Sequence, residues 1–559
     1  MGTTLERIAS WTSGLRYEDI PPRVVAKAKL QLLSMLAAVF AGSTTRAARA
    51  VRQVALSSRA AGRATALPFA DRCSPTVATV ANAAASMALD YDDYLFLAHT
   101  GHSAVLASLA QAEERGLSGR ELLRAQIIAN EVGGRLGASV IFGPQNGQLW
   151  THVHALGAAA AGAALLGLDA RATAHAMAIS LYQPPMAMWP GFMGPDSKLL
   201  SAALPARDGL MAAALASWEL TGPLDILDHP LGFGSRFAHQ FLPQMLTGFG
   251  ASWVTDTLSF KLIPGCAYVD ASIEALLELA GRFQVQQGRR LEPADVQAIR
   301  VRTTLLGAEM DRLNPFDRPG PLSAVRVNFS LPLSLSVALR AGRLTPAELD
   351  EAALSAGREE LLALAGRIEV RHDWSMTLEM LERLSAHLPL GALAGELDLR
   401  RLLELRPELG RTFGGLIELG PRDVLRLAAF LWERAPRLMR QAGRATLHGL
   451  GRLVADEREG GEARFDLAQA RLEDMPLPFP AEVELELRGD RRLSARVDLP
   501  RGAAGRDQAE TRGLVRKKFR EAALPFLAEE RVELALERVD RLELLDQVGA
   551  LTELLTSPA

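Results

Sequence analysis

The run Ala155-Leu156-Gly157-Ala158-Ala159-Ala160-Ala161-Gly162-Ala163-Ala164-Leu165-Leu166-Gly167-Leu168 carries no charge and little bulk. Its alanines and leucines favour helix. Its small side chains let neighbouring helices approach closely, so the run predicts a helix inside a large buried bundle. At 14 residues it is too short to span a bilayer. The same small-residue character marks 77–89 and 104–112. Upstream, Leu5, Ile8, Trp11 and Leu15 repeat at helical spacing, and Pro21-Pro22 opens a helix carrying Val25, Leu32, Leu33, Leu36 and Val39. No useful β alternation appears before about residue 250, so the first half reads as all-helical.

The pattern changes after Lys261-Leu262-Ile263-Pro264. Residues 296–304 alternate like a half-buried strand, and Ile368 with Val370 marks a shorter one. Val483, Leu485 and Leu487 alternate with glutamates, Gly489-Asp490 turns the chain, and Leu493, Ala495 and Val497 return it as a hairpin. Between these strands, 376–475 is Leu/Arg-rich and helix-patterned. The fold class is therefore mainly α: an all-helical domain over 1–265, an α+β domain over 266–504 carrying a helical insertion at about 376–475, and a helical tail, 505–559, that packs back on the first domain.

Composition excludes several functions. Sixty-two basic residues against 65 acidic ones leave a net charge of −3, which gives no footprint for nucleic acid or an anionic membrane. Two cysteines cannot ligate a four-thiolate cluster or structural zinc, and they suit a reducing, cytoplasmic setting. Glu6, Arg7 and Arg16 interrupt the opening, so it reads as no signal peptide. There is no Walker A loop, no His-Glu-x-x-His and no complete Gly-x-Gly-x-x-Gly. Only six of the 62 basic residues are lysine, and Lys198 and Lys261 stand alone through the middle of the chain. An ammonium is compact and can lose its proton where guanidinium cannot, so a lysine kept against an arginine bias marks a place where that chemistry counts.

The chemistry-bearing cluster is Asp90-Tyr91-Asp92-Asp93-Tyr94 followed by His99-Thr100-Gly101-His102-Ser103. A second histidine pair, His152 and His154, also directly precedes an Ala-rich helix. An aspartate-held histidine is an acid/base near neutral pH. The plain alternatives are that Asp92 and Asp93 cap helices or solvate a loop, that His152 and His154 pack in the core, or that the cluster binds a divalent metal.

These residues resemble the MmgE/PrpD family, which includes dehydratases, decarboxylases and epimerases of small carboxylic acids. The resemblance runs through Leu15-Arg16-Tyr17-Glu18-Asp19-Ile20-Pro21-Pro22, Ala88-Leu89-Asp90-Tyr91-Asp92-Asp93, Gly157-Ala158-Ala159-Ala160, Lys198 with Ala206-Arg207-Asp208-Gly209, and Thr221-Gly222-Pro223. It continues in Lys261-Leu262-Ile263-Pro264-Gly265-Cys266, Phe329-Ser330-Leu331-Pro332 and Val497-Asp498-Leu499-Pro500. It implies a helical domain with a smaller α+β lid, a homodimer, an active site between the domains and no cofactor or metal. By this resemblance Asp90 is the acid/base aspartate, His102 the family histidine with His99 as the fallback, and Lys198 and Lys261 the family lysines. Asp93, Tyr94, His152 and Cys266 are candidates for binding substrate. The chain departs from the family pattern at Ser201, Leu204, Asp270 and Leu333, each a polar or aromatic position elsewhere changed.

The expectation is a cofactor-independent lyase, dehydratase- or decarboxylase-like with dehydration the first expectation, that moves a proton α to a carboxylate of a small di- or tricarboxylic acid. Epimerisation of a small dicarboxylate on the same fold is the alternative reaction. A non-catalytic binding protein with a degenerate site is the alternative class.

Overall fold

Helix Thr151–Leu166 starts ahead of its apolar run, taking His152 and His154 into its first turn, and all of it except Leu166 is buried. The computed structural model describes residues 2–143, 147–395, 421–434 and 465–557, and its regular structure is mainly helical. Around this central helix lie Gly119–Ser139, Ala170–Tyr182 and Leu200–Ser217. Small residues set the spacing. A Cβ on Gly209 would stand 2.3 Å from the carbonyl oxygen of Ala155 and 2.7 Å from the Ala158 Cβ. Helix Pro22–Ser43 and the stretch Asp196–Ser217, which runs into Leu200–Ser217, are long and apolar enough to cross a membrane, but 72% and 61% of their apolar windows are buried within the fold.

A second apolar core is built on a four-stranded sheet ordered Ile368–His372, Val296–Thr303, Ala481–Leu487, Arg491–Val497. Val296–Thr303 pairs in parallel with Ile368–His372 and antiparallel with Ala481–Leu487, which forms a hairpin with Arg491–Val497. Ala481, Val483, Leu485 and Leu487 face inward while the glutamates between them face out, as period-2 alternation requires. Helices Ala267–Gln287 and Leu331–Ala341 cover the inner face.

Residues Leu89, Tyr91 and Ile263 belong to this second core, whereas Ala88, Tyr94 and Phe260 belong to the first. The stretch from 88 to 94 therefore crosses the seam between them. Buried Glu131 and Arg135 steady the approach to it: Glu131 accepts from the backbone N–H groups of Val254 and Thr255 at 3.1 and 2.9 Å, and Arg135 donates to the carbonyls of Thr247 and Ser252 at 3.1 and 2.8 Å. In the C-terminal stretch, Phe519 and Phe526 set their rings 6.0 and 5.5 Å from Phe40. Of the Leu/Arg-rich stretch at 376–475, residues 396–420 and 435–464 lie outside the described residues. Helix Trp374–Ser385 leads into it and helix Pro421–Arg434 packs against that helix.

Close helix packing makes a stability prediction. Gly209→Ala forces a methyl into backbone and should cost about 1–3 kcal/mol. Gly281→Ala, on an exposed helical position with nothing within 4 Å of the new Cβ, should gain about 0.5–1 kcal/mol. Denaturant unfolding of the two variants checks both signs.

Candidate active site

Helix Pro75–Met87, capped at its start by the Ser74 hydroxyl, ends at the seam. Asp90 takes a left-handed conformation there, φ +50°, which aspartate tolerates better than most residues. That reversal turns the chain into the short strand Asp93–Tyr94, which pairs antiparallel with Ser259–Phe260. The pairing brings two distant segments into register: Lys261 N–H donates to the Asp92 carbonyl at 3.2 Å, and Gly265 N–H donates to the Asp90 carbonyl at 3.2 Å. Lys198 arrives on the turn Asp196–Leu199.

Two buried ion pairs result. Lys198 Nζ donates to Asp90 Oδ1, and Asn328 Nδ2 donates to Asp90 Oδ2 at 3.3 Å. The rings of Phe329 and Phe192 lie 5.1 and 5.8 Å from the Lys198 ammonium. Lys261 Nζ donates to Asp92 Oδ1 at 2.5 Å. All four charged side chains are at 0% exposure. The second oxygen of Asp92 serves both histidines, with His99 Nδ1 at 2.9 Å and His102 Nε2 at 3.2 Å, and Gln148 Nε2 donates to it at 3.4 Å. Burial pushes the Asp92 carboxyl upward, but Lys261, then His99 and His102, outweigh it and hold it well below the ordinary carboxylate range. Burial lowers Lys261, yet Asp92 and Asp90 reverse this and raise it above the usual lysine value.

The two histidines differ in what they leave free. His102 is closed at both nitrogens, Nδ1 by Ser86 Oγ at 2.7 Å and Nε2 by Asp92, and it is fully buried. His99 Nδ1 faces two acceptors, the Asp92 carboxylate and the Asp93 carbonyl at 3.0 Å. Two acceptors require a proton on Nδ1. Neutral His99 then carries its lone pair on Nε2, which has no partner among the described residues. Burial lowers the His99 pKa despite Asp92, so that lone pair is available at neutral pH.

Residues 6–245 match the MmgE/PrpD N-terminal domain and residues 264–386 the MmgE/PrpD C-terminal domain. The chain belongs to the MmgE/PrpD family. The cis-aconitate decarboxylase of Aspergillus terreus (strain NIH 2624 / FGSC A1156) is 26% identical over 395 residues, covering 66% of this chain and 79% of that protein. The cis-aconitate decarboxylase of Homo sapiens is 28% identical over 386 residues, covering 66% and 76%.

In this MmgE/PrpD chain the expected residues are not all brought together. Asp90, the acid/base aspartate of the resemblance, pairs with Lys198, and Asp92 is the carboxylate that holds both histidines. Asp93 is buried, accepts from Gln31 Nε2 at 2.5 Å, and is pushed up to about 6 by burial and by Asp92. Gly101 permits this approach, since a Cβ there would collide with Asp93 Oδ1. Tyr94 lies 6.1 Å from the His99 ring, centroid to centroid, its phenol raised by burial. His152 makes no hydrogen bond to the cluster. It meets the stacked rings of Phe233 and Phe237 edge-on at 5.0 and 5.4 Å, neither ring nitrogen partnered, and burial pushes it down to about 3. Cys266 heads helix Ala267–Gln287, and burial pushes its thiol up to about 12, so it stays protonated. Asp270, one of the departures from the family pattern, is buried and raised well above its ordinary value by burial, with Glu274 adding to it. Sequence reasoning missed Asn328, Gln148 and Ser86; only the adjacent Phe329-Ser330-Leu331-Pro332 pointed toward Asn328. Among the described residues no group of three or more His, Cys, Asp or Glu is arranged to hold a metal ion.

A cleft of about 840 Å³ follows the seam, walled by Ala88, Leu89, Tyr91, Asp196, Leu199 and Ile263. Asp90, Lys198 and Lys261 are each next in sequence to a lining residue, Leu89 and Tyr91, Leu199, and Leu262 respectively. Asp92→Asn should cost about 3–5 kcal/mol at neutral pH by leaving Lys261 buried without its partner. The Asp92 pKa is depressed in the folded state, so its contribution is present above the unfolded value of about 4 and lost as pH falls through the lower folded value. The stability gap between wild type and variant, followed by denaturant titration, should therefore narrow steadily below about pH 4.

Proposed function

We propose that this protein is a cofactor-independent lyase that removes CO2 or water from a small di- or tricarboxylic acid by way of a carboxylate-stabilised carbanion. The carrying observation is the pair of fully buried ammonium groups held by Asp90 and Asp92, with His99, also held by Asp92, keeping an Nε2 that has no partner among the described residues. Loss of CO2 leaves its bonding electrons on carbon, where an adjacent carboxylate takes up the charge until a proton returns. Loss of water begins with removal of a proton α to a carboxylate and builds the same charge before hydroxide departs with a proton. Both routes need cations at the carboxylate oxygens and one group that moves a proton. An ammonium has three donors and Lys198 and Lys261 each give one to an aspartate, which leaves donors for substrate oxygens. His99 is the proton-transfer group in this reading, oriented by Asp92, and His102 holds Asp92 in place. The names of the relatives favour decarboxylation over dehydration.

The finer architecture belongs to the same proposal. Residues 1–265 with 505–559 form the helical unit, 266–504 form a lid that carries the insertion, and substrate enters along the seam. The complete burial of both ammonium groups fits a closed state. A homodimer is supported by the apolar side chains left in solvent on one stretch, among them Trp218 at 88% exposure, Leu231 at 69% and Met188 at 65%, because exposed apolar surface of this kind marks association sites.

Incubation with cis-aconitate and with hydroxy di- and tricarboxylates in D2O, followed by proton NMR, tests the reading. Deuterium incorporation α to a carboxylate, release of CO2, or the vinyl signal of a dehydrated product is expected from at least one compound; none of these from any of them contradicts it. Lys198→Arg and Lys261→Arg should each lower turnover by about 100-fold or more, ~2.7 kcal/mol, because charge is kept but the compact ammonium is lost.

A further inference from the structure

Helix Gln508–Ala523 lies outside both family matches, yet it delivers a third buried lysine to the site. Lys518 is 2% exposed, whereas its neighbour Lys517 keeps 69% of its side chain in solvent. The Lys518 ammonium donates to the Tyr91 carbonyl at 2.6 Å, the Lys261 carbonyl at 2.9 Å and Ser34 Oγ at 2.9 Å. It also lies 4.0 Å from the centroid of the Tyr91 ring. Three acceptors meet the three N–H bonds of an ammonium, so the group is saturated. Two of those acceptors are informative. Tyr91 stands between Asp90 and Asp92, and Lys261 is the cation that Asp92 receives.

Burying a charge is costly unless its hydrogen bonds are complete, and here the completing groups are the backbones of the two segments that make the site. The composition points the same way. In a chain with six lysines among 62 basic residues, Lys198, Lys261 and Lys518 converge on one loop. A planar guanidinium cannot place three donors on three acceptors that converge at a point.

We propose that Lys518 is a positioning residue. Its ammonium clamps the carbonyls of Tyr91 and Lys261 together, which sets the Asp92–Lys261 contact and thereby the direction in which Asp92 presents its other oxygen to His99 and His102. The inference rests on the proton-transfer reading above only for its effect on turnover. The bland alternative is that Lys518 merely anchors the tail.

The test uses the full chain carrying ring-labelled histidine, with the His99 and His102 resonances assigned through His99→Gln and His102→Gln. Lys518→Met is compared with Val515→Ala, a packing loss at a fully buried position on the same helix. Lys518→Met should displace both resonances and lower kcat by roughly tenfold or more with KM changed less than about threefold. Val515→Ala should lower thermal stability while leaving both resonances and kcat as in wild type. Resonances in folded Lys518→Met that coincide with wild type, or equal displacement in Val515→Ala, overturn the proposal. If Lys518→Met does not fold, Lys518→Arg carries the test, since it keeps the charge and loses the three-way geometry; undisplaced resonances there overturn it equally. Displaced resonances in a protein whose wild type turns over no carboxylate leave the clamp standing and remove the lyase reading.

Discussion

The ion pair between Asp92 and Lys261, 2.5 Å long and closed to solvent, is the constraint to which the surrounding structure answers. Removing two such charges from water costs several kcal/mol per ion, and their mutual attraction offsets this only when the remaining donors and acceptors are satisfied. The fold supplies those partners. The free oxygen of Asp92 receives His99, His102 and Gln148, and His102 is braced in turn by Ser86. Because Asp92 is saturated, His99 is turned so that one nitrogen is committed and the other is open. The reactivity assigned to the site follows from how the cost of burial is met.

Position at the seam explains why such a pair forms here. Small-residue helices pack one core and a twisted sheet with its covering helices packs the other, and the segment from 88 to 94 contributes side chains to both. A left-handed turn at Asp90 and a two-residue strand pairing with Ser259–Phe260 then decide which carboxylate meets which cation. Asp90 and Asp92 reach different lysines because the left-handed turn at Asp90 breaks the alternation that would otherwise set residues i and i+2 on one side. Asp93 faces Gln31 instead, and burial together with Asp92 pushes its carboxyl up to about 6.

Much of this was legible in the sequence, for physical reasons that can be named. The Ala/Gly runs announced close helix packing because bulk is local information. The hairpin from Ala481 to Val497 was legible through strict alternation around Gly489-Asp490. Lys198 and Lys261 stood out because lysine is scarce in this chain. The Asp/His loop was visible as a contiguous cluster, but the assignment within it was not: choosing Asp92 over Asp90 depends on a pairing with residues more than 160 positions away. Lys518 was hidden beside Lys517, since only tertiary packing tells the buried lysine from the exposed one. His152, named as a substrate-binding candidate, stands apart from the Asp92 cluster against the stacked rings of Phe233 and Phe237, and burial lowers its pKa; no spacing in the sequence announces that aromatic contact.

The account turns on one proton. Two acceptors at Nδ1 and, among the described residues, none at Nε2 assign neutral His99 a single tautomer, and the proposed proton transfer depends on it. Long-range nitrogen–proton correlation NMR of the imidazoles, in ligand-free protein near neutral pH, reads this directly. The account predicts that His99 carries its proton on Nδ1 and a lone pair on Nε2. A His99 protonated on Nε2 with a bare Nδ1 would contradict it.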